Sequence, residues 1–179
     1  MQNEFSKILD DNETIIAAFK PNKFKFYFLN IFFFTTGWIF IFLIFLLIYL
    51  FPEDFSDQMP AFVFLILLGI FLVAAAIDCI FLMMTYNKRF YAYSNKRIII
   101  KSGLIGVDYK SLDHKMIGAI DVRVDLSDKI VRRNTGSLRF GSQASPLAPQ
   151  GALFRFSGIE DPYVVYRSIK KYIDSVKEQ

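Results

Sequence analysis

Two long apolar segments dominate the first half of the chain. Residues 26–52 contain no charged side chain, and residues 58–87 are interrupted only by Asp78. A helix rises about 1.5 Å per residue and the hydrocarbon core of a bilayer is about 30 Å thick, so about 20 apolar residues suffice to cross it. We therefore predict a two-helix transmembrane hairpin over residues 26–87, with a short external loop near 52–58. The first segment exceeds the roughly 7–15 apolar residues of a signal peptide and is interpreted as an anchor.

The next part of the chain shows the pattern of β-strands. Residues 89–103 predict two strands around a turn at residues 94–96, and residues 104–110 predict a third. Further on, Ile120, Val122, Val124 and Leu126 alternate with polar residues. This period of two predicts a half-buried strand.

The end of the chain predicts two more strands and a helix. Leu138 and Phe140 mark one strand; Ala144–Gly151 reads as a loop; Ala152, Phe154 and Phe156 share one face of a last strand. Asp161 and Pro162 are suited to begin a helix, and the apolar residues that follow recur at helical spacing: Val165, Ile169, Tyr172, Ile173 and Val176. Strands in succession followed by one amphipathic helix predict an antiparallel barrel or sandwich closed by that helix.

Charges next to the apolar segments indicate their orientation. Basic residues precede the first segment and follow the second, whereas the loop between them is acidic. The positive-inside rule then places both termini in the cytoplasm. We predict a cytoplasmic N-terminal segment over residues 1–25 and a cytoplasmic domain over 88–179. The residues behind this assignment are Lys20, Lys23, Lys25, Lys88 and Arg89 on the basic side and Glu53, Asp54 and Asp57 in the loop.

Little in the composition points to catalysis. A single cysteine, Cys79, and a single histidine, His114, exclude an internal disulfide and argue against a zinc site. The chain has no phosphate-binding glycine loop and no common hydrolase motif. Ser111, Asp113 and His114 are close in sequence, but neighbours along a strand point apart. We expect no catalytic residue, no metal and no cofactor.

The predicted cytoplasmic domain is basic. Residues 88–179 contain 17 Lys and Arg against 9 Asp and Glu, a net charge of +8. Beside an anionic leaflet each basic residue contributes about 1 kcal/mol, which makes Lys88, Arg89, Lys96 and Arg97 candidates for contact with the membrane surface. The alternative is a solvated surface that merely follows the positive-inside rule. Nucleic-acid binding is not expected, because no reader motif accompanies the charge.

Asp78 is a second candidate, because an ionisable residue inside a span is a functional hypothesis by default. It lies ten residues before Lys88, and Thr35 lies ten residues after Lys25. In an antiparallel hairpin this spacing predicts equal depth, so Thr35 or Thr36 is a candidate hydrogen-bond partner. The alternative is an Asp78 side chain that reaches the headgroups near the inner boundary.

Several segments resemble the bacterial pleckstrin-homology-like membrane proteins. The matching segments are Tyr93-Ser-Asn-Lys-Arg-Ile-Ile-Ile-Lys-Ser-Gly-Leu-Ile105, Ile117–Leu126, Gly136-Ser-Leu-Arg-Phe140 and Phe156-Ser-Gly-Ile-Glu-Asp-Pro162. A paired hydrophobic span, and a Glu near Glu13 ahead of it, are also usual in that family. The resemblance implies two roughly orthogonal antiparallel sheets capped by a C-terminal helix, in a multi-pass protein of the bacterial inner membrane.

Two functions stay open at this point. The first is a non-enzymatic binding or scaffold protein at the cytoplasmic face of the membrane, whose partners are the bilayer and an unidentified membrane or cytoplasmic protein, with self-association as another option. The alternative is an accessory subunit of a transport or export system in which the hairpin and Asp78 are functional. Fold resemblance alone does not decide between them.

Overall fold

The computed structural model describes residues 4–50, 62–131, 133–142 and 154–177. The chain forms two compact units. One is the helical unit Tyr27–Met84, and the other, here called the β domain, combines Met1–Phe26 with Thr85–Gln179. The predicted external loop near 52–58 and the predicted loop Ala144–Gly151 lie outside the described residues.

The helical unit is a pair of antiparallel helices, α1 (Lys23–Leu50) and α2 (Phe62–Lys88). Both are long and apolar enough to cross a membrane, and neither has its apolar segment buried inside the protein. Aromatic rings join them: Trp38 lies edge-on to Phe71 at 5.5 Å, and Phe42 lies edge-on to Phe64 at 5.7 Å. Their apolar side chains are largely exposed, unlike those of the buried helices of a soluble core.

The β domain contains two antiparallel sheets, ordered β1-β2-β3-β4 and β5-β6-β7. A short helix α3 follows β5, and α4 ends the described chain. The bounds are β1 Ile15–Phe19, β2 Phe90–Ser94, β3 Arg97–Ser102, β4 Asp108–Asp113, β5 Ile117–Arg123, α3 Leu126–Val131, β6 Thr135–Ser142, β7 Phe154–Glu160 and α4 Pro162–Lys177. The predicted fold, a hairpin of apolar helices with a PH-like domain of two antiparallel sheets and a C-terminal helix, is confirmed.

The main core lies among both sheets and α4. Ile98 comes from the first sheet, Leu138 and Phe156 from the second, and Ile169 from α4; all four are fully buried. Val165, Ile169 and Ile173 are buried on α4 and confirm the predicted apolar stripe. Side chains of this size each contribute about 1.5–3 kcal/mol on burial, so α4 is an integral part of the domain.

A second core involves the N-terminal segment, which the sequence analysis separated from the domain. β1 pairs with β2, with Ala17 opposite Tyr93 and Phe19 opposite Tyr91. Phe5 is fully buried against Phe90, Ala92 and Ile99 on the sheet face away from the main core. The β domain is therefore assembled from chain on both sides of the helical unit.

Two predicted boundaries were wrong. β4 begins at Asp108 instead of Leu104, because Gly103 at φ +147° begins a turn over residues 103–107. Leu126 begins α3 instead of continuing β5. The Asp128 carboxylate accepts a hydrogen bond from the backbone N–H of Asp125 at 2.9 Å. This local cap overrides the alternating pattern.

Candidate functional site

The start of α1 is tied to the second sheet by Asn22. Its side-chain oxygen accepts the N–H of Lys25 at 2.9 Å, the N-cap position that satisfies a free donor of the first turn. Its side-chain nitrogen donates to Glu160 at 2.5 Å, and its backbone N–H donates to the carbonyl of Gly158 at 2.7 Å. Asn22 is buried, so the entry into α1 is fixed to β7.

A buried ion pair reinforces this attachment. The Lys25 ammonium binds Asp128 of α3, and both side chains are more than nine-tenths buried. Asp128 also accepts the hydroxyl of Thr135 at 2.6 Å. Because the carboxylate is shared among three donors inside the β domain, it has a structural role and is not open to a ligand. The sequence analysis read Lys25 only as a flanking charge and missed Asp128.

The end of α2 is attached to the first sheet. Lys88, the last residue of α2, donates from Nζ to the carbonyls of Leu104 at 2.6 Å and Ile105 at 2.8 Å. Arg89 places its guanidinium 5.3 Å from the ring centre of Phe26, and β2 begins at the next residue, Phe90. The chain thus passes from α2 into the sheet without a linker.

The four basic residues predicted as one surface lie in two places. Lys88 and Arg89 are at the start of β2, whereas Lys96 and Arg97 follow the turn at its other end, about 17 Å away at about 3.3 Å per residue. Lys96 donates to the carbonyl of Asp11 at 3.1 Å. Arg97 donates to Glu13 at 2.8 Å and to the carbonyl of Ile8 at 2.7 Å. Lys96 and Arg97 therefore hold the N-terminal segment.

Glu13 is the centre of this second attachment. It accepts the hydroxyl of Ser94 at 2.5 Å in addition to Arg97. Burial raises the pKa of Glu13, but the hydrogen bonds from Arg97 and Ser94 lower it more, so the pKa lies below 4.5. The pairing with Glu13 in turn raises the pKa of Arg97. The family resemblance points to a Glu at this position, and the structure shows that Glu13 binds Ser94 and Arg97.

His114 is packed inside the domain. It is 1% exposed, and its ring lies edge-on to Tyr172 at 5.5 Å. Nε2 lies 2.8 Å from the carbonyl of Ser94, and since a carbonyl only accepts, Nε2 carries the proton. Burial lowers the pKa of His114, and the Ser94 carbonyl opposes this only in part. The neutral ring is therefore favoured, and it is not combined with Ser111 or Asp113 into a catalytic arrangement.

The predicted contact of the helical unit joins Asp78 to Thr35 or Thr36. Thr35 donates its hydroxyl to the carbonyls of Ile31 at 2.8 Å and Phe32 at 3.1 Å, within its own helix. With Phe71 it lines an apolar cleft of about 310 Å³ between α1 and α2. Asp78 lies seven residues beyond Phe71, about 10 Å along α2. Asp78 is half-buried and Thr36 is exposed, and a hydrogen bond between Asp78 and either threonine stays a prediction.

Comparison with known proteins identifies the family. The Bacterial PH domain family matches residues 26–173, which is most of the chain. The chain belongs to this family. No curated protein matches it significantly.

Among solved structures, this Bacterial PH domain protein is similar to a DUF1696 family protein with a pleckstrin-homology domain from Shewanella loihica PV-4. That crystal structure, at 2.00 Å resolution, aligns with a TM-score of 0.41 and 13% sequence identity. The alignment covers 97% of this chain and 89% of the other. Likeness of this degree does not extend to individual site residues.

The polar side chains described above bind one another within this PH domain. Within the described ranges, no cluster of three or more His, Cys, Asp or Glu side chains is placed to hold a metal ion. The buried polar groups described above, Lys25 with Asp128 and Glu13 with Arg97, are ion pairs inside the fold. The structure thus brings together attachments between chain segments, through Asn22 and Lys25 at the start of α1 and Lys88 at the end of α2.

Proposed function

We propose that this protein is a non-enzymatic, membrane-anchored PH-like binding or scaffold protein that acts at the cytoplasmic face of a bacterial membrane. Its helical hairpin crosses the bilayer, and its β domain presents a protein-binding surface beside it. The lipid bilayer is one partner, and a membrane or cytoplasmic protein is the other.

One observation carries the proposal: both helices continue into the β domain without a linker. Asn22 and Lys25 of the first turn of α1 are buried in the domain, and α2 ends two residues before β2. A domain joined at both ends of a hairpin stays close to the bilayer, which gives its partners a high local concentration at the membrane. The basic flanks Lys23 and Lys88 support a cytoplasmic location.

A topology reporter tests the location. An enzyme that folds only outside the cytoplasm, inserted near Asp57, is expected to be active, and the same enzyme fused after Gln179 is expected to be inactive. A reporter that folds only in the cytoplasm gives the reverse pattern as the control. Activity of the first reporter at Gln179 would overturn the cytoplasmic location.

A second candidate function assigns the hairpin an active part in transport or export. Asp78 favours this function, because a carboxyl group inside a membrane span is energetically costly and usually has a functional role. Replacing residues 27–84 by an unrelated hairpin leaves Lys25 and Lys88 in place and separates the two functions. A partner set, measured by crosslinking in membranes, that survives the replacement supports the scaffold. Loss of the partners, reproduced by Asp78→Asn alone, supports the transport role.

A further inference from the structure

The turn between β3 and β4 exposes apolar side chains. Ile105 is 86% exposed, and Leu104 and Val107 beside it are also exposed. Loop tips are usually polar or glycine-rich, so three apolar residues there are unusual. The turn has a defined shape, because Gly103 has φ +147° and a Cβ at that position would lie 2.3 Å from the carbonyl oxygen of Gly106.

This turn is joined to the end of α2. The hydrogen bonds from Lys88 reach the carbonyls of Leu104 and Ile105 themselves. A lysine at the end of a membrane-spanning helix places its ammonium at the lipid–water boundary. The exposed apolar side chains therefore lie within two residues of the carbonyl groups bonded at that boundary.

The start of α1 is likewise bonded to an element with exposed apolar residues, the helix α3. Leu126 and Ile130 are one helical turn apart on α3 and are 73% and 61% exposed. Between them Asp128 binds Lys25, the third residue of α1. Each helix end is thus bonded to an element that exposes apolar residues. A basic residue lies beside each group of exposed residues: Lys88 at the turn and Lys129 on α3.

We propose that Leu104, Ile105, Val107, Leu126 and Ile130, here called the apolar rim, insert into the interfacial region of the inner leaflet. This inference rests on the proposed membrane anchoring. Apolar side chains flanked by basic ones are the composition of interfacial membrane binders, which enter about 5–10 Å into the headgroup and acyl boundary. Insertion at two elements fixes the orientation of the β domain on the bilayer.

The bilayer is chosen over a protein partner because of chain continuity. The rim residues lie on the two elements that bind Lys25 and Lys88, where the two spans enter and leave the lipid in the proposed topology, so lipid is the first material these side chains meet. The opposite end of the β2–β3 hairpin, at residues 94–96, then faces the cytoplasm together with the N-terminal segment that it binds.

Site-specific fluorescence quenching in the full-length protein tests this. In a Cys79→Ala background, Ile105→Cys and Ile130→Cys are labelled with an environment-sensitive dye in vesicles of phosphatidylethanolamine and phosphatidylglycerol. Met116→Cys is the matched control, because Met116 is also apolar and 57% exposed but belongs to the 3-10 turn His114–Met116. The backbone N–H of His114 in that turn donates to the carbonyl of Lys96 at 3.1 Å. The unmutated protein, labelled at Cys79 on α2, is the reference for the spans.

We expect lipid-attached nitroxide to quench the dyes at 105 and 130, with a blue-shifted emission and loss of quenching by aqueous iodide. The dye at 116 should show the reverse. The insertion is overturned if iodide alone quenches the dyes at 105 and 130. It is also overturned if a second copy of the chain or another protein shields both dyes from both quenchers. If Cys79 is not quenched by the lipid nitroxide, the membrane anchoring itself fails; if only 105 and 130 fail, the anchoring stands.

Discussion

Replacing Lys25 by Met tests whether the start of α1 is fixed to the β domain. Methionine keeps the length and apolar stem of the side chain but removes the ammonium that binds Asp128. The carboxylate then stays buried, at 3% exposure for the residue, with hydrogen bonds from Thr135 and from the Asp125 backbone. Removing one partner of a buried ion pair destabilises the fold because the other charge stays buried without compensation.

The magnitude follows from two opposing effects. Breaking a buried ion pair by removing one partner costs about 3–5 kcal/mol. Lys25 also sits in the first turn of α1, where a positive charge faces the helix dipole unfavourably by about 0.3–1 kcal/mol, and its removal relieves this. We therefore expect Lys25→Met to lower the free energy of unfolding of the β domain by about 2–4 kcal/mol.

The double variant separates charge burial from packing. Lys25→Met with Asp128→Asn leaves no buried charge, and the asparagine oxygen still accepts from Thr135 or Asp125. We expect it to be more stable than Lys25→Met alone, with a residual loss of about 1 kcal/mol for the acceptor that is missing. The coupling energy of the double-mutant cycle should then exceed about 1 kcal/mol.

Pulse proteolysis in urea, on the full chain in detergent micelles, measures these free energies. The control is Lys96→Met, because Lys96 makes an exposed ion pair with Asp10 at 3.9 Å, and exposed pairs contribute about 0–1 kcal/mol. If Lys25→Met costs no more than Lys96→Met, or if the two changes at the buried pair are additive, the attachment of α1 through this ion pair is refuted.

Three further substitutions test other parts of the β domain by the same urea assay. Phe5→Ala should lower the free energy of unfolding by about 3–5 kcal/mol, because Phe5 is fully buried. Ile16→Ala is the control and should lower it much less, because Ile16 is 42% exposed. Equal losses would exclude a core role for the N-terminal segment. Gly103→Ala should lower the free energy of unfolding by about 1–3 kcal/mol and Gly106→Ala by less than about 0.5 kcal/mol. Of these two glycines, Gly103 lacks room for a Cβ and Gly106 does not. The reverse order of the two losses would refute the turn geometry. Because the pKa of His114 is lowered below 6.5, the unfolded chain binds a proton before the folded chain as the pH falls, so the free energy of unfolding declines below about pH 6.5. His114→Gln keeps a donor to the Ser94 carbonyl and should remove this dependence of stability on pH. An unchanged dependence would show that a different group causes it.

Local patterns predicted the elements whose signals are contained in one stretch of chain. The turn at residues 94–96 lies between two β-branched and aromatic runs, and both strands formed as expected. Pro162 and the apolar spacing that follows it defined α4 well. Leu126 shows the limit of such patterns, because it continues an alternation that the cap between Asp125 and Asp128 interrupts.

The attachments between distant segments could not be predicted. Lys25 and Asp128 are 103 residues apart, and a lysine before an apolar segment is fully explained by the positive-inside rule. β1 is only five residues long, and its partner strand comes after the entire helical unit. Nothing in either local sequence specifies that pairing, so residues 1–25 read as a separate segment.

The β domain's composition from two chain segments also decides what a soluble form must contain. Residues 88–179 alone would lack β1 and Phe5, and would leave Arg97 without Glu13 and Asp128 without Lys25. The two segments end close together, however: the rings of Phe26 and Tyr86 are 5.4 Å apart, and the Tyr86 hydroxyl donates to the carbonyl of Pro21 at 3.2 Å. Joining residue 26 to residue 85 by a short flexible linker should therefore preserve every attachment in the domain, because closing a short loop costs little conformational entropy. The hairpin is an insertion between β1 and the other three strands of one sheet, so separating β1 from β2 is expected to disrupt that sheet.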